Sequence, residues 1–257
     1  MLRLTFLLRR RPELSLTDFQ DYWKTSHGPL MAGFASDLSV LRYVQAHTIA
    51  DEDHSRLPGR RGQMEAPYDG VAEVWWESKQ AFLAATSTPA GRTAGKALIE
   101  DERTFIDLAS SPIWANYEYP QVNPTPENLV ATERSTVVKL YFPLRHRGEL
   151  SFEDAQLYWR THHGPVIRRQ ADGAGILRYV QVHQAELEIG AQLRAARGTE
   201  VEPYLGHAEV WFDRAGTAAT PERRAASQRA YEDEANFIDF ARSTMWLAKE
   251  HVFIDRR

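Results

Sequence analysis

The sequence predicts an α+β protein: two ferredoxin-like βαββαβ modules in tandem, packed sheet to sheet as one intramolecular, pseudo-dimeric α/β barrel. Two observations support this fold class. A series of motifs occurs twice, in the same order, along the 257 residues. Within each copy, strand and helix patterns follow one another as β-α-β-β-α-β. One four-stranded sheet with helices on a single face would leave its other face in water, and the second copy supplies the missing cover.

The repeated motifs show that the chain is an internal duplication. At an offset of 136 positions the matching pairs are Tyr22-Trp23 with Tyr158-Trp159, His27-Gly28-Pro29 with His163-Gly164-Pro165, Leu41 to Gln45 with Leu177 to Gln181, and Ala72 to Trp75 with Ala208 to Trp211. Near the end of each copy the offset falls to 132, as in Asp101-Glu102 with Asp233-Glu234. We therefore expect modules at 1–119 and 134–257. Prolines at 120, 124 and 126 predict an extended linker over 120–133.

Local patterns predict each element. The strands are expected at 5–8, 39–48, 70–77 and 114–119, and again at 137–142, 175–185, 206–213 and 246–253. The first helix of each module begins after Ser15 or Ser151, with an aspartate three residues later as in a capping box. The prolines after Gly28 and Gly164 predict a break or kink there. The second helices are expected at about 92–110 and 221–242.

Composition excludes several classes of function. A net charge of −4 gives no basic field for nucleic acid, and the absence of cysteine removes thiolate nucleophiles and cysteine metal sites. The apolar N-terminal run is too short for a membrane span, so a cytoplasmic protein is expected. There is no phosphate-binding glycine loop. His162 and His163 are adjacent and do not share a helix face, so no metal site is predicted.

Alternation along the strands predicts which side chains face the inside of the barrel. One register of the third strand, with Ala72, Val74, Ala208 and Val210, is apolar and suits the helix-covered face. The predicted inward set is Arg3, Tyr43, Gln45, His47, Glu73, Trp75, Lys139, Tyr141, Tyr179, Gln181, His183, His207, Glu209 and Trp211. A mixed aromatic and polar lining is typical of a pocket for a small organic ligand.

Within this pattern the candidate acid–base groups are Glu73, Glu209, His47, His183, His27 and His163. The other members of the inward set are candidate ligand-binding groups. Each candidate has a structural alternative. The glutamates could be buried partners of arginine or lysine, the strand histidines could be solvated, and His27 and His163 could hold backbone groups freed at the helix break. The loops 51–66 and 187–202 diverge completely and could form a lid or a solvated surface.

The pattern Tyr-Trp-x-x-x-His-Gly-Pro, then Arg-Tyr-Val-Gln-x-His and Ala-Glu-Val-Trp, resembles the EthD family of dimeric α/β-barrel proteins. Both copies match it. The resemblance implies the barrel fold. It also implies relatives that include cofactor-independent cyclases, dehydratases, decarboxylases and isomerases of polyketide-like or aromatic molecules, besides haem-binding barrels and monooxygenases. Fold alone does not choose among them.

Two main hypotheses for the function follow. The first is a cofactor-independent enzyme, without metal, that performs acid–base chemistry (dehydration, isomerisation, cyclisation or decarboxylation) on a small, aromatic or polyketide-like molecule. The second is a non-catalytic ligand- or haem-binding barrel, or a haem-free monooxygenase. A structural protein with a filled barrel is a third possibility. The expected partner is a small molecule, with neither nucleic acid nor membrane, and the outer surfaces leave room for a homodimer of the fused chain.

Overall fold

The structure is a computed structural model that describes residues 1–124, 129–216 and 220–257. The strands are β1 (Leu2–Leu8), β2 (Arg42–Thr48), β3 (Gly70–Trp76), β4 (Ile113–Val122), β5 (Val137–His146), β6 (Ile176–Gln184), β7 (Gly206–Asp213), β8 (Ile238–Asp239) and β9 (Trp246–Asp255). The α-helices are α1 (Leu16–Tyr22), α2 (Gly28–Gly33), α3 (Lys79–Ser87), α4 (Pro89–Phe105), α5 (Phe152–Tyr158), α6 (Gly164–Ala174), α7 (Leu187–Arg197) and α8 (Pro221–Glu234). None of the helices in the described ranges is long and apolar enough to cross a membrane.

Eight antiparallel strands form a closed barrel, in the order β1-β3-β2-β9-β5-β7-β6-β4 and back to β1. Four neighbouring strands come from each module. The two sheets join edge to edge through β2 with β9 and β4 with β6. The predicted tandem α/β barrel is therefore confirmed, and the two joints turn the facing sheets into one continuous wall.

Strand β4 extends further than the sequence predicts. It continues through Pro120 to Val122, into the region predicted as linker. Its pairing with β1 ends at Asn116, so beyond that point β4 has only β6 beside it. A proline is tolerated there because it need not donate to a second neighbour. Residues 125–128 of the predicted linker lie outside the described residues.

At the place of the predicted break or kink, before Pro29 and Pro165, the helix forms a π-helical turn. Residues Trp23–His27 and Trp159–His163 form these turns, and the helix continues as α2 or α6. The N–H of Gly28 reaches back to the carbonyl of Trp23, so the ladder closes around the proline. The Gln45 side chain also donates to that carbonyl at 2.8 Å. Gln45 therefore contacts the backbone of this turn, whereas the ring of His27 has Asp101 as its partner.

The predicted orientation of β2 and β6 is wrong. Val44 pairs directly with the inward Glu73, whereas Tyr43 pairs with Val74 and Gln45 with Ala72 on the helix-covered face. Tyr43, Gln45 and His47 therefore lie under the helices, as do Tyr179, Gln181 and His183. The prediction assumed that the polar register faces the barrel. In these strands the polar side chains are buried under a helix, where they hydrogen-bond to one another.

Candidate functional site

The interior of the barrel is filled by a charged network. Glu73 accepts hydrogen bonds from Arg3 at 2.6 Å and Lys139 at 2.7 Å, and a short one from the Tyr141 hydroxyl. Glu209 pairs with the same two cations, Lys139 at 3.1 Å. All five of these side chains are almost completely buried. A buried ionic cluster of this kind is stable only when each charge has partners, and here each has.

The network follows the pseudo-twofold symmetry of the duplication. Arg3 donates to Glu118 at 2.7 Å, and Trp75 donates to the same carboxylate at 3.1 Å. In the second module Lys139 donates to Glu250 at 3.3 Å and Trp211 donates to it at 2.9 Å. These contacts among the inward side chains are typical of a structural core rather than of a ligand pocket.

Burial raises the pKa of Glu73 to about 7, against the pull of Arg3 and Lys139. The carboxyl groups of Glu73 and Glu209 and the ring of His207 have ligand atoms within 4.8 Å of one another. Because Arg3 and Lys139 already contact both carboxylates, side-chain cations occupy the place that a metal ion would take. Burial lowers the pKa of His207 to about 4, so the ring is neutral at neutral pH.

Two cavities lie outside the barrel, one in each module, between the sheet and its helices. The first cavity measures about 290 Å³ and is lined by His27, Met31, Tyr43, Trp76, Phe82 and Leu98, among others. The second cavity measures about 190 Å³, and its lining includes Trp159, His163, Ile167, Tyr179, Ala230 and Met245. Most of each wall is apolar, with a few converging polar groups, as in sites for small organic ligands.

A histidine–aspartate pair stands at each cavity. Nδ1 of His27 lies 2.7 Å from Oδ2 of Asp101, and Nδ1 of His163 lies 2.7 Å from Oδ2 of Asp233. The hydrogen bond from His27 lowers the pKa of Asp101, so this carboxylate is ionised and Nδ1 carries the proton. Nε2 of His27 has no hydrogen-bond partner within the described ranges, which leaves its lone pair available to a molecule in the cavity.

A buried tyrosine hydroxyl completes the polar set. Tyr43 accepts hydrogen bonds from Nε1 of Trp23 at 3.2 Å and Nε2 of Gln45 at 2.9 Å. Its own proton has no acceptor in the described part of the chain, so it can be donated to a ligand. Burial raises the pKa of Tyr43 and keeps the hydroxyl protonated. Tyr179 is held in the same way by Trp159 and Gln181, and its ring lies 6.4 Å from that of His163.

Each cavity is covered by a segment of the other module. Helix α7, from the second module, places Ile189, Leu193 and Arg197 over the first cavity. The loop 54–66 of the first module places Leu57 and Arg61 over the second cavity. Arg61 and Arg197 are offset by 136 positions, as are Leu57 and Leu193. The prediction that the two segments diverge completely is therefore wrong, because they share the two residues that close the cavities.

The candidate residues predicted from sequence thus separate into three places. His27, His163, Tyr43 and Tyr179 line the cavities. Gln45, Gln181, His47 and His183 lie behind them, where each histidine stacks on a tryptophan at 4.6 or 4.3 Å. The rest are in the barrel interior, away from either cavity: Arg3, Glu73, Trp75, Lys139, Tyr141, His207, Glu209 and Trp211.

Sequence reasoning missed four kinds of cavity residue. These are Asp101 and Asp233, Glu102 and Glu234, Arg61 and Arg197, and Trp23 and Trp159. Their signal was present, because each pair obeys the repeat offset. An Asp-Glu pair that occurs in both copies, on a helix beside buried aromatic residues, indicates that these carboxylates do more than keep the helix surface polar.

The EthD domain family matches the chain over residues 11–109 and 147–241, which is most of its length. The chain belongs to the EthD family. Both copies are recognised separately, in agreement with the duplication. No curated protein matches the sequence.

Three solved structures are similar to the chain. One, from Lactobacillus acidophilus NCFM, is provisionally named a monooxygenase; it is 7% identical, covers 99% of this chain and 95% of its own, and has a TM-score of 0.46. Another, from Fusobacterium nucleatum subsp. nucleatum and named in the same way, is 8% identical, with 98% and 93% covered and a TM-score of 0.50. The third, an anthrone oxidase-like protein, is 9% identical, with 100% and 94% covered and a TM-score of 0.48. At such identities the likeness concerns the fold, and none of these names supports the predicted lyase or isomerase class.

Proposed function

We propose that this protein is an enzyme that removes a proton from a small, largely apolar ketone or phenol and passes the resulting anion to dioxygen. The observation that carries the proposal is the pair of His27 and Asp101 in the wall of an apolar cavity, with Nε2 of His27 free to accept a proton. His163 and Asp233 repeat the arrangement.

The first step is general base catalysis. A carbon acid next to a carbonyl, or a phenol, loses its proton to Nε2 of His27, while ionised Asp101 stabilises the imidazolium. The Tyr43 hydroxyl donates a hydrogen bond to the substrate oxygen, on which negative charge develops. The apolar wall strengthens both interactions because it keeps water away. Of the six acid–base candidates predicted from the sequence, only His27 and His163 line a cavity, whereas Glu73 and Glu209 lie in the filled barrel.

The second step is oxidation. A methylene group that has lost a proton, or a ring carbon of the phenolate that bears a hydrogen, reacts with dioxygen and takes up one oxygen atom as a new carbonyl. The other oxygen atom leaves as water with two substrate hydrogens, both from the methylene group of a ketone, or one from the hydroxyl and one from the ring carbon of a phenol. The monooxygenase name of the structural neighbour with a TM-score of 0.50 agrees with this fate of the anion. Return of the proton to another carbon would make the protein an isomerase instead.

The two steps can be tested separately with β-tetralone, a two-ring ketone with an activated methylene group. In deuterated water without oxygen, proton magnetic resonance measures exchange of the methylene hydrogens. With labelled dioxygen, mass spectrometry measures a product carrying one labelled oxygen. We expect the double variant H27Q/H163Q to lose exchange by about a hundredfold or more, and H162Q, at an exposed neighbouring histidine, to keep it.

Full exchange in the double variant would show that these histidines are not the base. Exchange without uptake of labelled oxygen would reject the oxidation step and favour an isomerase. A Soret band after addition of haem, with no exchange activity, would favour the haem-binding alternative.

A further inference from the structure

A groove lies beside the second cavity. This side groove measures about 410 Å³ and runs along α6, α8 and the end of β7. Ile167, Ile176 and Ala230 line both the second cavity and the side groove. The two spaces are therefore adjacent at these three apolar side chains.

The first module is built differently at the same place. Its connection from β3 to α4 holds helix α3, and Phe82, Leu83 and Thr86 of that helix line the first cavity. The connection from β7 to α8 is shorter, because strand β7 ends at Asp213 and α8 begins at Pro221. In addition, Leu98 of the first module corresponds to Ala230 of the second at the offset of 132. The smaller side chain leaves more space between cavity and groove.

A cation stands at the outer end of the side groove. Arg223 lines the groove, and no carboxylate in the described ranges lies within ion-pair distance of it. Its Nη2 lies over the backbone of Gly175, where a Cβ atom would come within 2.2 Å of it. The corresponding residue of the first module is Gly91, which is buried against the carbonyl of Ala85. The positive charge at this position is thus peculiar to the second module.

These features describe a ligand with two parts. Its body lies along the apolar side chains that the cavity and the groove share, and its outer end meets a guanidinium group. Guanidinium binds carboxylate through paired hydrogen bonds, and an alkyl chain matches the apolar side chains. We propose that the second cavity and the side groove together bind an amphipathic monocarboxylate, with its apolar chain along Ile167, Ile176 and Ala230 and its carboxylate on Arg223.

This site does not depend on the proposed catalysis, since binding requires no proton transfer. Calorimetric titration with octanoate tests it, with octanol as an uncharged chain of the same length. We expect saturable binding of octanoate to the wild-type protein. R223Q should weaken octanoate binding about tenfold while octanol binding is unchanged. A230L, which introduces the first-module residue, should weaken the binding of both ligands.

R92Q, at an exposed arginine of α4 in the first module, is the matched control and should bind octanoate normally. The proposal is overturned if wild-type protein does not bind octanoate, if R223Q binds it as wild type does, or if A230L leaves both affinities unchanged. R223Q keeps the test valid should A230L fold poorly. The exchange assay with β-tetralone measures proton transfer and contains no octanoate, so failure of that assay and failure of octanoate binding are separate results.

Discussion

Arg197 and Glu102 form a two-pronged ion pair across the two modules, with Nε to Oε2 and Nη2 to Oε1 both at 2.8 Å. The pair ties helix α7 to helix α4 at the wall of the first cavity. Arg61 and Glu234 repeat it over the second cavity at 2.6 and 2.9 Å. In all four residues the side chain is no more than 15% exposed.

Loss of this ion pair should destabilise the protein. R197M leaves the carboxylate of Glu102 buried without its partner, so we expect the free energy of unfolding to fall by about 3 kcal/mol in urea titrations. R194M, on the same helix, removes an ion pair with the exposed Glu202. It should change the free energy of unfolding by about 0.5 kcal/mol or less. Equal stabilities of R197M and R194M would contradict a contribution from the Arg197–Glu102 pair.

The cations inside the barrel should contribute more to the free energy of unfolding than the Arg197–Glu102 pair does. Lys139 contacts Glu73, Glu209 and Glu250 and is 1% exposed. We expect K139M to lower the free energy of unfolding by about 4 kcal/mol, because three carboxylates lose a shared partner. K139R keeps the charge and reproduces the residue found at the equivalent Arg3, so it should retain most of the stability. A fully stable K139M would show that the network contributes nothing.

Buried neutral histidine should make the fold sensitive to acid. Burial lowers the pKa of His183 to about 3, whereas a free histidine has a value of 6.5. As the pH falls below the pKa of a free histidine, this residue becomes protonated in the unfolded chain but stays neutral in the folded protein. Stability from this group is therefore complete above about pH 6.5 and declines toward about pH 3, by up to about 1.4 kcal/mol per pH unit.

The measurement is the free energy of unfolding between about pH 7 and about pH 5 for the wild type and H183Q. H183Q should have the smaller slope, whatever its absolute stability. H162Q, at the exposed neighbouring histidine, should keep the wild-type slope. A wild-type slope in H183Q would mean that His183 is protonated in the folded protein.

The repeat made the fold predictable from sequence. Matching motifs fixed the two modules, and strand alternation placed Glu73, Trp75, Glu209 and Trp211 correctly inside the barrel. Alternation failed at Tyr43 because it gives two faces and does not say which face is covered by helices. Polarity usually decides, but here a hydrogen-bonded polar group lies on the covered side.

The site was harder to predict because its contacts join distant parts of the chain. His27 and Asp101 are 74 residues apart, and Arg197 and Glu102 are 95 apart. Only the helix packing and the crossing of the covers bring them together. Each of these residues has a counterpart at the repeat offset, but the offset does not predict which of them are in contact.

The crossing of the covers also affects how the two halves of the gene can change. A substitution in α7 is inherited with the second copy, yet it reshapes the cavity of the first. Each copy therefore determines part of the ligand selectivity of the other copy's cavity. Specialisation of one cavity requires substitutions in both copies. A history of this protein traced through one half alone would assign the changes to the wrong cavity.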